Sequence, residues 1–427
     1  MERIRSCELA AHVGQRVRVA GWLASVRRVG AINFVVVRDG WGTIQAVVGE
    51  AEIKPLAGAE LESVVELWGT VCCQPQLELQ DVAIDVLSAV TVPGPVLLSK
   101  KTLAAPLPAL LDHAVVANRH PTRRAVFRLA AATMRGFRRA LEREGFVEIQ
   151  SPKLVGTATE GGANVFGVTY FDRTAYLAQS PQLYKQIMVG VFERVYEVGP
   201  VFRAEPHDTA RHINQYTSLD VELGFIASHL DVMAQLTRVV AEMMVAIGEC
   251  SGELALLGAR VPEVPSTIPA IHFAEARELV ARALGEQHKT EPDLAPEAER
   301  WLGEWARAQR GSEFLFVTGY PLAKRPFYTH PEPGRPEFSA SFDLLFRGTE
   351  LVTGGQRLHR YEDYLSALAA RGMSPEPIVQ YLDAFRSGMP PHGGFAIGLE
   401  RFVMQLTGLP NIRLATLFPR DLHRLAP

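Results

Sequence analysis

The segments VYEVGPVF (195–202) and TSLDVELGF (217–225) each alternate apolar and polar residues, and the stretch between them is charged. Period-two alternation marks a half-buried strand, and two such strands facing each other across one loop make an antiparallel ribbon. This pairing constrains the fold more than any other feature, because it sets an antiparallel sheet in the C-terminal part of the chain. The connecting loop carries Arg203, Glu205, His207, Asp208, Arg211 and His212. Loops usually lie in water, so a solvated tip is the ordinary reading. A loop that faces a charged ligand is the other.

The remaining elements point to segregated rather than alternating strands and helices. Residues 13–90 hold four or five short strands: QRVRVAGWLASVRRV, AINFVVVRDGWGTIQAVVG with an Asp39-Gly40 turn, VVELWGTVCCQ and LELQDVAIDVLSAV. They predict a small β-barrel in OB-fold order, either a binder of single-stranded nucleic acid or a structural module. A stretch rich in Pro, Leu and Ala follows and reads as a linker. Next comes the amphipathic helix RRAVFRLAAATMRGFRRALEREGF, with Val126, Ala130, Thr133, Phe137 and Leu141 on one face and Gly145 at its stop. Its arginines 124, 128, 135, 138 and 139 lie on other faces, where water, a partner chain or RNA would meet them.

FVEIQSPKLV reads as a strand closed by Pro152, and the chain is expected to stay strand-rich from 165 to 225. A second helix, DVMAQLTRVVAEMMVAIG, places Met233, Leu236, Val240, Met243 and Ile247 at core spacing. Residues 270–312 read as more helix. Strands return at EFLFVTGYP and ASFDLLFRGTELVTGG, and PPHGGFAIGLERFVMQLTG is a glycine-rich strand–turn–helix. The expected class is α+β: an N-terminal barrel over 1–92, a connecting stretch over 93–120, and a unit over 121–427 built on a mostly antiparallel sheet flanked by helices.

Composition excludes some functions. The chain has 427 residues, 47% of them hydrophobic, and a net charge of -3, which fits two or three ordinary domains. A near-neutral total leaves an RNA partner open, because local basic patches suffice. No apolar run reaches the ~18 residues of a membrane span, and the opening MERIRSCELAAHVGQRV lacks the apolar stretch of a signal peptide. A cytoplasmic protein without membrane association is expected. Cys7, Cys72, Cys73 and Cys250 lack zinc-type spacing, and adjacent Cys72 and Cys73 would point to opposite faces of a strand. The absence of G-x-x-x-x-G-K-[ST] speaks against a P-loop.

Four polar clusters interrupt the apolar pattern. They are the charged hairpin loop, ATEGGANVFG with Glu160, QSPQLYKQ with Gln179, Gln182 and Lys185, and FDLLFRGTELVTGGQRLHR with Asp343, Glu350 and Arg357. The C-terminal GLER adds Glu400 and Arg401. The inventory suits a nucleoside triphosphate. Arg203 and Arg401 supply planar donors for phosphate oxygens. Asp343 and Glu350 are hard oxygen ligands for Mg²⁺, and the glycines allow close backbone approach. Lys185 and Arg357 exceed what one triphosphate needs, which implies an anionic second substrate.

These residues resemble the class II aminoacyl-tRNA synthetases over nearly the whole chain, and among them the archaeal-type aspartyl enzymes. GFVEIQSPKL with Pro152 is similar to the first class motif, at the dimer interface. VFRAE with RHINQYTSLDVELGF is similar to the second, and GGFAIGLERFVM to the third. QSPQLYKQ and GGQRLHR favour aspartate over the sister enzymes for asparagine and lysine. The family's barrel binds the anticodon.

The resemblance implies an antiparallel catalytic domain, ATP as substrate, Mg²⁺, L-aspartate, tRNA(Asp) and a homodimer. It places Arg203, Ala204, Glu205, Arg211, His212, Ile213, Glu350, Gly398, Leu399, Glu400 and Arg401 at ATP. It places Glu160, Gln182, Leu183, Tyr184, Lys185, Arg203, Thr353 and Arg357 at aspartate, and Glu350, Thr353 and Asp343 at the metal. Arg203, Glu350 and Arg401 are the expected catalytic residues. Strict members of the family carry a tryptophan and a lysine in the barrel where this chain has Ala24 and Pro75, so charging of tRNA(Asn) as well is expected. A strictly discriminating enzyme is the alternative. A tRNA-independent amidating paralogue would not need the barrel, and a catalytically dead RNA-binding protein would have lost some of Arg203, Glu350 or Arg401.

Overall fold

The computed structural model describes residues 2–30, 32–73, 76–100, 102–156 and 164–426. These divide into two compact units, Met1–His120 and Pro121–Pro427. In the first, β1 (Arg16–Val29), β2 (Ile32–Arg38), β3 (Thr43–Val48), β4 (Val64–Cys72) and β5 (Glu78–Ser88) close into a barrel of order β1-β2-β3-β5-β4. Alternation decides the interior: Val17, Val19, Leu23, Val35, Val37, Ile44, Ala46, Leu67 and Leu79 are buried together. Asp39 fixes the β2–β3 turn, its carboxylate accepting from Ser6 and from the backbone N–H of Trp41 and Gly42. The β1–β2 register slips between Leu23 and Ser25, and the half-buried Ala24 sits at that irregularity. Pro75 lies outside the described residues. Cys72 ends β4 and exposed Cys73 lies just past it, so the two are not an alternating strand pair. The stretch expected as a linker contains two short helices, Leu107–Asp112 and Ala114–Ala117.

The second unit is built on an eight-stranded sheet. In chain order its strands are β6 (Val147–Glu148), β7 (Arg194–Phe202), β8 (Gln215–Gly224), β9 (Ala270–His272), β10 (Phe314–Thr318), β11 (Ser341–Phe346), β12 (Thr349–Gln356) and β13 (His392–Gly398). They lie in the order β9-β10-β11-β12-β13-β8-β7-β6. All neighbours are antiparallel except the two edge pairs, β9 with β10 and β6 with β7. The helices include α1 (Pro121–Arg143), α2 (Gln182–Phe192), α3 (His229–Gly248), α4 (Phe273–Leu284), α5 (Pro296–Arg310) and α6 (Leu399–Thr407).

The long helices α1 and α3 pack together on one face of the sheet. Val126, Phe137, Leu141, Leu236, Val240 and Met243 share a core with Leu219, Val221, Phe342, Leu344, Phe395 and Ile397. Gly136 permits the close approach, since a Cβ there would stand 2.7 Å from the Met243 backbone. Four arginines of α1 turn to the chain's own carboxylates: Arg128 to Glu253, Arg135 and Arg139 to Glu249, and Arg138 to Glu148.

Two expectations need correction. FVEIQSPKLV is not one strand: Val147–Glu148 pairs at the edge of the large sheet, and beyond Pro152 Leu154–Val155 pairs instead with Leu177 and Tyr176 in a separate small sheet. The strand-rich region from 165 to 225 is broken by α2, whose Leu183, Lys185, Gln186 and Val189 are buried at helical rather than strand spacing.

Candidate functional site

On the sheet face opposite α1 and α3 lies a cavity of about 330 Å³. Its floor follows from strand alternation. On β8, Leu219, Val221 and Leu223 enter the helical core, so Ser218, Asp220 and Glu222 point the other way. On β13 the inward neighbours are Gly394, Ala396 and Gly398, which pair in register with Glu222, Asp220 and Ser218.

A buried quartet of charges forms one end. Lys185 Nζ, projected from α2, donates to Asp220 at 3.0 Å and to the carbonyls of Val221 and Phe395, and stands 3.4 Å from Glu222. Arg357 Nε donates to Glu222 at 3.0 Å, its Nη2 donates to the Gly394 carbonyl, and its guanidinium lies over the Tyr328 ring. Gly394 has no alternative: a Cβ would stand 2.1 Å from the Val221 carbonyl and from the Glu222 carboxylate. Burial alone would push the Glu222 carboxyl up, but Arg357 and Lys185 bring it below its ordinary value. The Tyr381 hydroxyl donates to Gln186 Oε1 at 2.8 Å, and the Tyr364 hydroxyl donates its single proton to the Leu358 carbonyl at 2.9 Å, fixing the chain next to Arg357.

The other end is open and basic. Arg203, Arg211 and His212 of the β7–β8 loop line it, with Arg401 from the first turn of α6 and Lys324 and Arg325 from the segment before β11. Arg203 Nη1 is 3.9 Å from Glu205, and Glu205 is 3.8 Å from His212. Burial holds the His212 imidazole below its ordinary value.

Between the two ends sits Glu350. A bulge in β12 shifts its pairing with β11, so that Leu351 is extra and Glu350 and Thr353 share the cavity face. Thr353 Oγ1 donates to Glu350 at 3.2 Å. Burial pushes the Glu350 carboxyl up to about 7, and Asp343 and Glu299 add to the rise against Arg401. Asp343 gives one oxygen to Arg325 at 2.8 Å, while its buried Oδ1 has no hydrogen-bond partner among the described residues. A carboxylate whose charge is disfavoured, beside an orphaned carboxylate oxygen, fits a hard cation. No three His, Cys, Asp or Glu side chains are arranged to hold an ion alone among the described residues. An ion there would complete its shell with phosphate oxygens and water, as Mg²⁺ does.

Several residues expected at the substrates lie off the cavity wall or are bonded within the protein. Leu183 packs among Phe327, Tyr328 and Leu358, and Leu399 belongs to the helical core, so neither side chain lines the cavity. Tyr184 and Ala204 are half-buried and off the wall. Lys185 stands behind Asp220 rather than on the surface. Glu400 lines the cavity, but its carboxylate is taken by the Thr217 backbone N–H at 3.0 Å. Gln182, Ile213 and Gly398 do line it. Glu160 lies outside the described residues. Sequence reasoning missed Ser218, Asp220 and Glu222, whose signal was polar residues on every second position of an otherwise apolar strand. It also missed Glu299, whose carboxylate accepts from the Glu350 backbone N–H.

Residues 108–422 match the family of class II tRNA synthetases (D, K and N). The chain belongs to that family. Residues 17–81 match the OB-fold nucleic acid binding domain. The chain is 49% identical to the aspartate–tRNA(Asp/Asn) ligase of Thermus thermophilus, with both chains covered completely. It is 46% identical to the Deinococcus radiodurans protein of the same name, over all of this chain and 99% of the other. The crystal structure of asparaginyl-tRNA synthetase from Pyrococcus horikoshii with asparaginyl-adenylate superposes with a TM-score of 0.92 at 31% identity, covering both chains fully. Aspartyl-tRNA synthetase from Entamoeba histolytica gives 0.86 at 28% identity, over all of this chain and 93% of the other. Class II synthetases use ATP, commonly with Mg²⁺, and the basic end of the cavity has the donors for it. No helix among the described residues is long and apolar enough to cross a membrane.

Proposed function

We propose that this synthetase ligates L-aspartate to tRNA(Asp) and to tRNA(Asn), with ATP as the energy source. The observation that carries the aspartate reading is the buried Arg357 on the wall at the closed end of a cavity whose open end is lined by Arg203, Arg211 and Arg401, with Lys185 behind Asp220 adding positive charge to that end. A second carboxylate in the amino acid meets the Arg357 guanidinium there, and a neutral side chain would leave that fork facing only Glu222 and the Gly394 carbonyl. Asp220 offers an oxygen to the substrate's ammonium group.

In the first step the α-carboxylate of aspartate attacks the α-phosphorus of ATP, giving aspartyl-adenylate and releasing pyrophosphate. Arg203 and Arg401 stabilise the charge that grows on the phosphoryl oxygens. Glu350, Thr353 and Asp343 would hold Mg²⁺, which supplies further neutralisation of the phosphates when bound. In the second step the 3′-terminal hydroxyl of the tRNA attacks the adenylate carbonyl, and AMP leaves. No protein nucleophile takes part, and positioning supplies much of the rate. The protein works in the cytoplasm as a homodimer.

The wider tRNA range is supported by the printed names of the Thermus and Deinococcus relatives and by the small residue at Ala24. Each lost base-specific contact is worth ~1–3 kcal/mol, enough to relax selection between two anticodons that differ at one base. Charging of purified tRNA(Asp) and tRNA(Asn) transcripts in parallel tests it. A kcat/KM for tRNA(Asn) lower by more than about a thousandfold, some 4 kcal/mol, means a strict enzyme.

A further inference from the structure

The β7–β8 loop that brings Arg211 and His212 to the cavity is held from outside by the last residues of the chain. The Asn214 N–H donates to the Arg420 carbonyl, and the Ile412 N–H donates to the Ala210 carbonyl, both at 2.8 Å. Between these two backbone contacts sits one buried side chain. Arg413, 4% exposed, donates through Nη2 to Asp208 at 2.6 Å, through Nη1 to the Thr209 carbonyl at 3.0 Å, and through Nε to Asp421 at 2.5 Å. Its neighbour Ile412 is on the cavity wall; Arg413 stands behind it.

Contacts continue from Arg413 to the nucleotide end. Thr209, whose carbonyl Arg413 fixes, uses its Oγ1 to accept from the Arg211 N–H at 3.2 Å and to bond His212 Nδ1 at 2.6 Å. His212 then faces Glu205, and Glu205 faces Arg203. The acceptor on the other side, Asp421, is itself locked by the backbone N–H groups of His423 and Arg424.

We infer that Arg413 is a positioning residue for ATP: by bridging Asp421 to Asp208 and Thr209 it sets where Arg211 and His212 stand at the nucleotide end of the cavity. A planar fork with three acceptors in three directions explains why an arginine is needed, since a lysine ammonium has no fixed fork to span them. Asp208 is exposed and water could solvate it, so its bond to buried Arg413 places the loop rather than shielding the carboxylate.

The inference rests on the reading of this cavity as an ATP and aspartate site. Aspartate-dependent ATP–pyrophosphate exchange by the unaltered chain checks that reading first, and its absence would sink the reading before any variant is made. With an active parent, Arg413→Met should raise the KM for ATP about tenfold or more and leave the KM for aspartate within about twofold, because only one end of the cavity depends on the loop. Arg413→Lys should recover part of the loss, and adding Asp208→Asn to Arg413→Met should cost less than about twofold more. Asp208→Asn alone, at a half-exposed position, should raise the KM for ATP about threefold without lowering the thermal midpoint, and so keeps the test open if Arg413→Met folds poorly. An unmoved KM for ATP in Asp208→Asn and in either Arg413 variant, or KM values for both substrates rising together, overturns the inference.

Discussion

Arg357→Leu should damage stability and aspartate recognition at once, and a second substitution should separate the two. Glu222 is fully buried, and Arg357 Nε stands 3.0 Å from it. At that distance and an effective dielectric of 20, the gross attraction is about 5 kcal/mol. Lys185 remains 3.4 Å from Glu222 and retains part of the compensation. The expected net loss is therefore about 3–5 kcal/mol, the usual result of removing one partner from a buried pair. For a unit of this size that lowers the thermal midpoint by roughly 5–10 °C. Aspartate activation should fall by about 2–5 kcal/mol in kcat/KM, because the substrate carboxylate loses its fork. In Arg357→Leu/Glu222→Leu no unpaired charge is left behind, so the midpoint should return to within about 1 kcal/mol of the parent while aspartate activation stays lost. Thermal unfolding and aspartate-dependent pyrophosphate exchange on the same preparations decide it. A single variant as stable as the parent, or a double variant that regains aspartate activation, refutes the assignment of Arg357 to the substrate and of Glu222 to Arg357.

Glu350→Ala should abolish aspartate-dependent pyrophosphate exchange while leaving the thermal midpoint unchanged or raised, since it removes a carboxylate that burial and two acidic neighbours disfavour; normal exchange at limiting Mg²⁺ would misplace the metal position. Burial holds the Glu400 carboxyl up at about 7 against an ordinary 4.5. A raised carboxyl favours the folded state below the unfolded value and loses that contribution as pH climbs through the folded one. Stability should thus drop by about 3 kcal/mol between pH 4.5 and 8 on this account, and Glu400→Gln should flatten that part of the curve. Thermal midpoints across the range measure it, and an identical slope in the variant contradicts it.

The sequence by itself determined the two architectures, because burial follows period. Strand alternation alone specifies the barrel interior and the face of β8, and 3.6-residue spacing specifies α1 and α3, whose expected core residues are all buried. Short motifs also marked most of the charged site, since Arg203, Arg211, His212, Glu350 and Arg401 do converge on one cavity. Where local signals compete, the sequence misled. QLYKQ sits among strands yet folds as helix, because helical spacing buries Leu183, Lys185, Gln186 and Val189 together. Simple alternation puts Glu350 and Thr353, three positions apart, on opposite faces of a strand. Only the bulge at Leu351 brings them together, and an extra residue in the register of the β11–β12 hairpin leaves no mark on the alternation itself. The same is true of the charges. Lys185, Asp220, Glu222 and Arg357 come from three separate segments, and whether a buried ion is tolerable depends on which counter-ion stands within hydrogen-bonding distance, a property of tertiary packing that no residue carries alone.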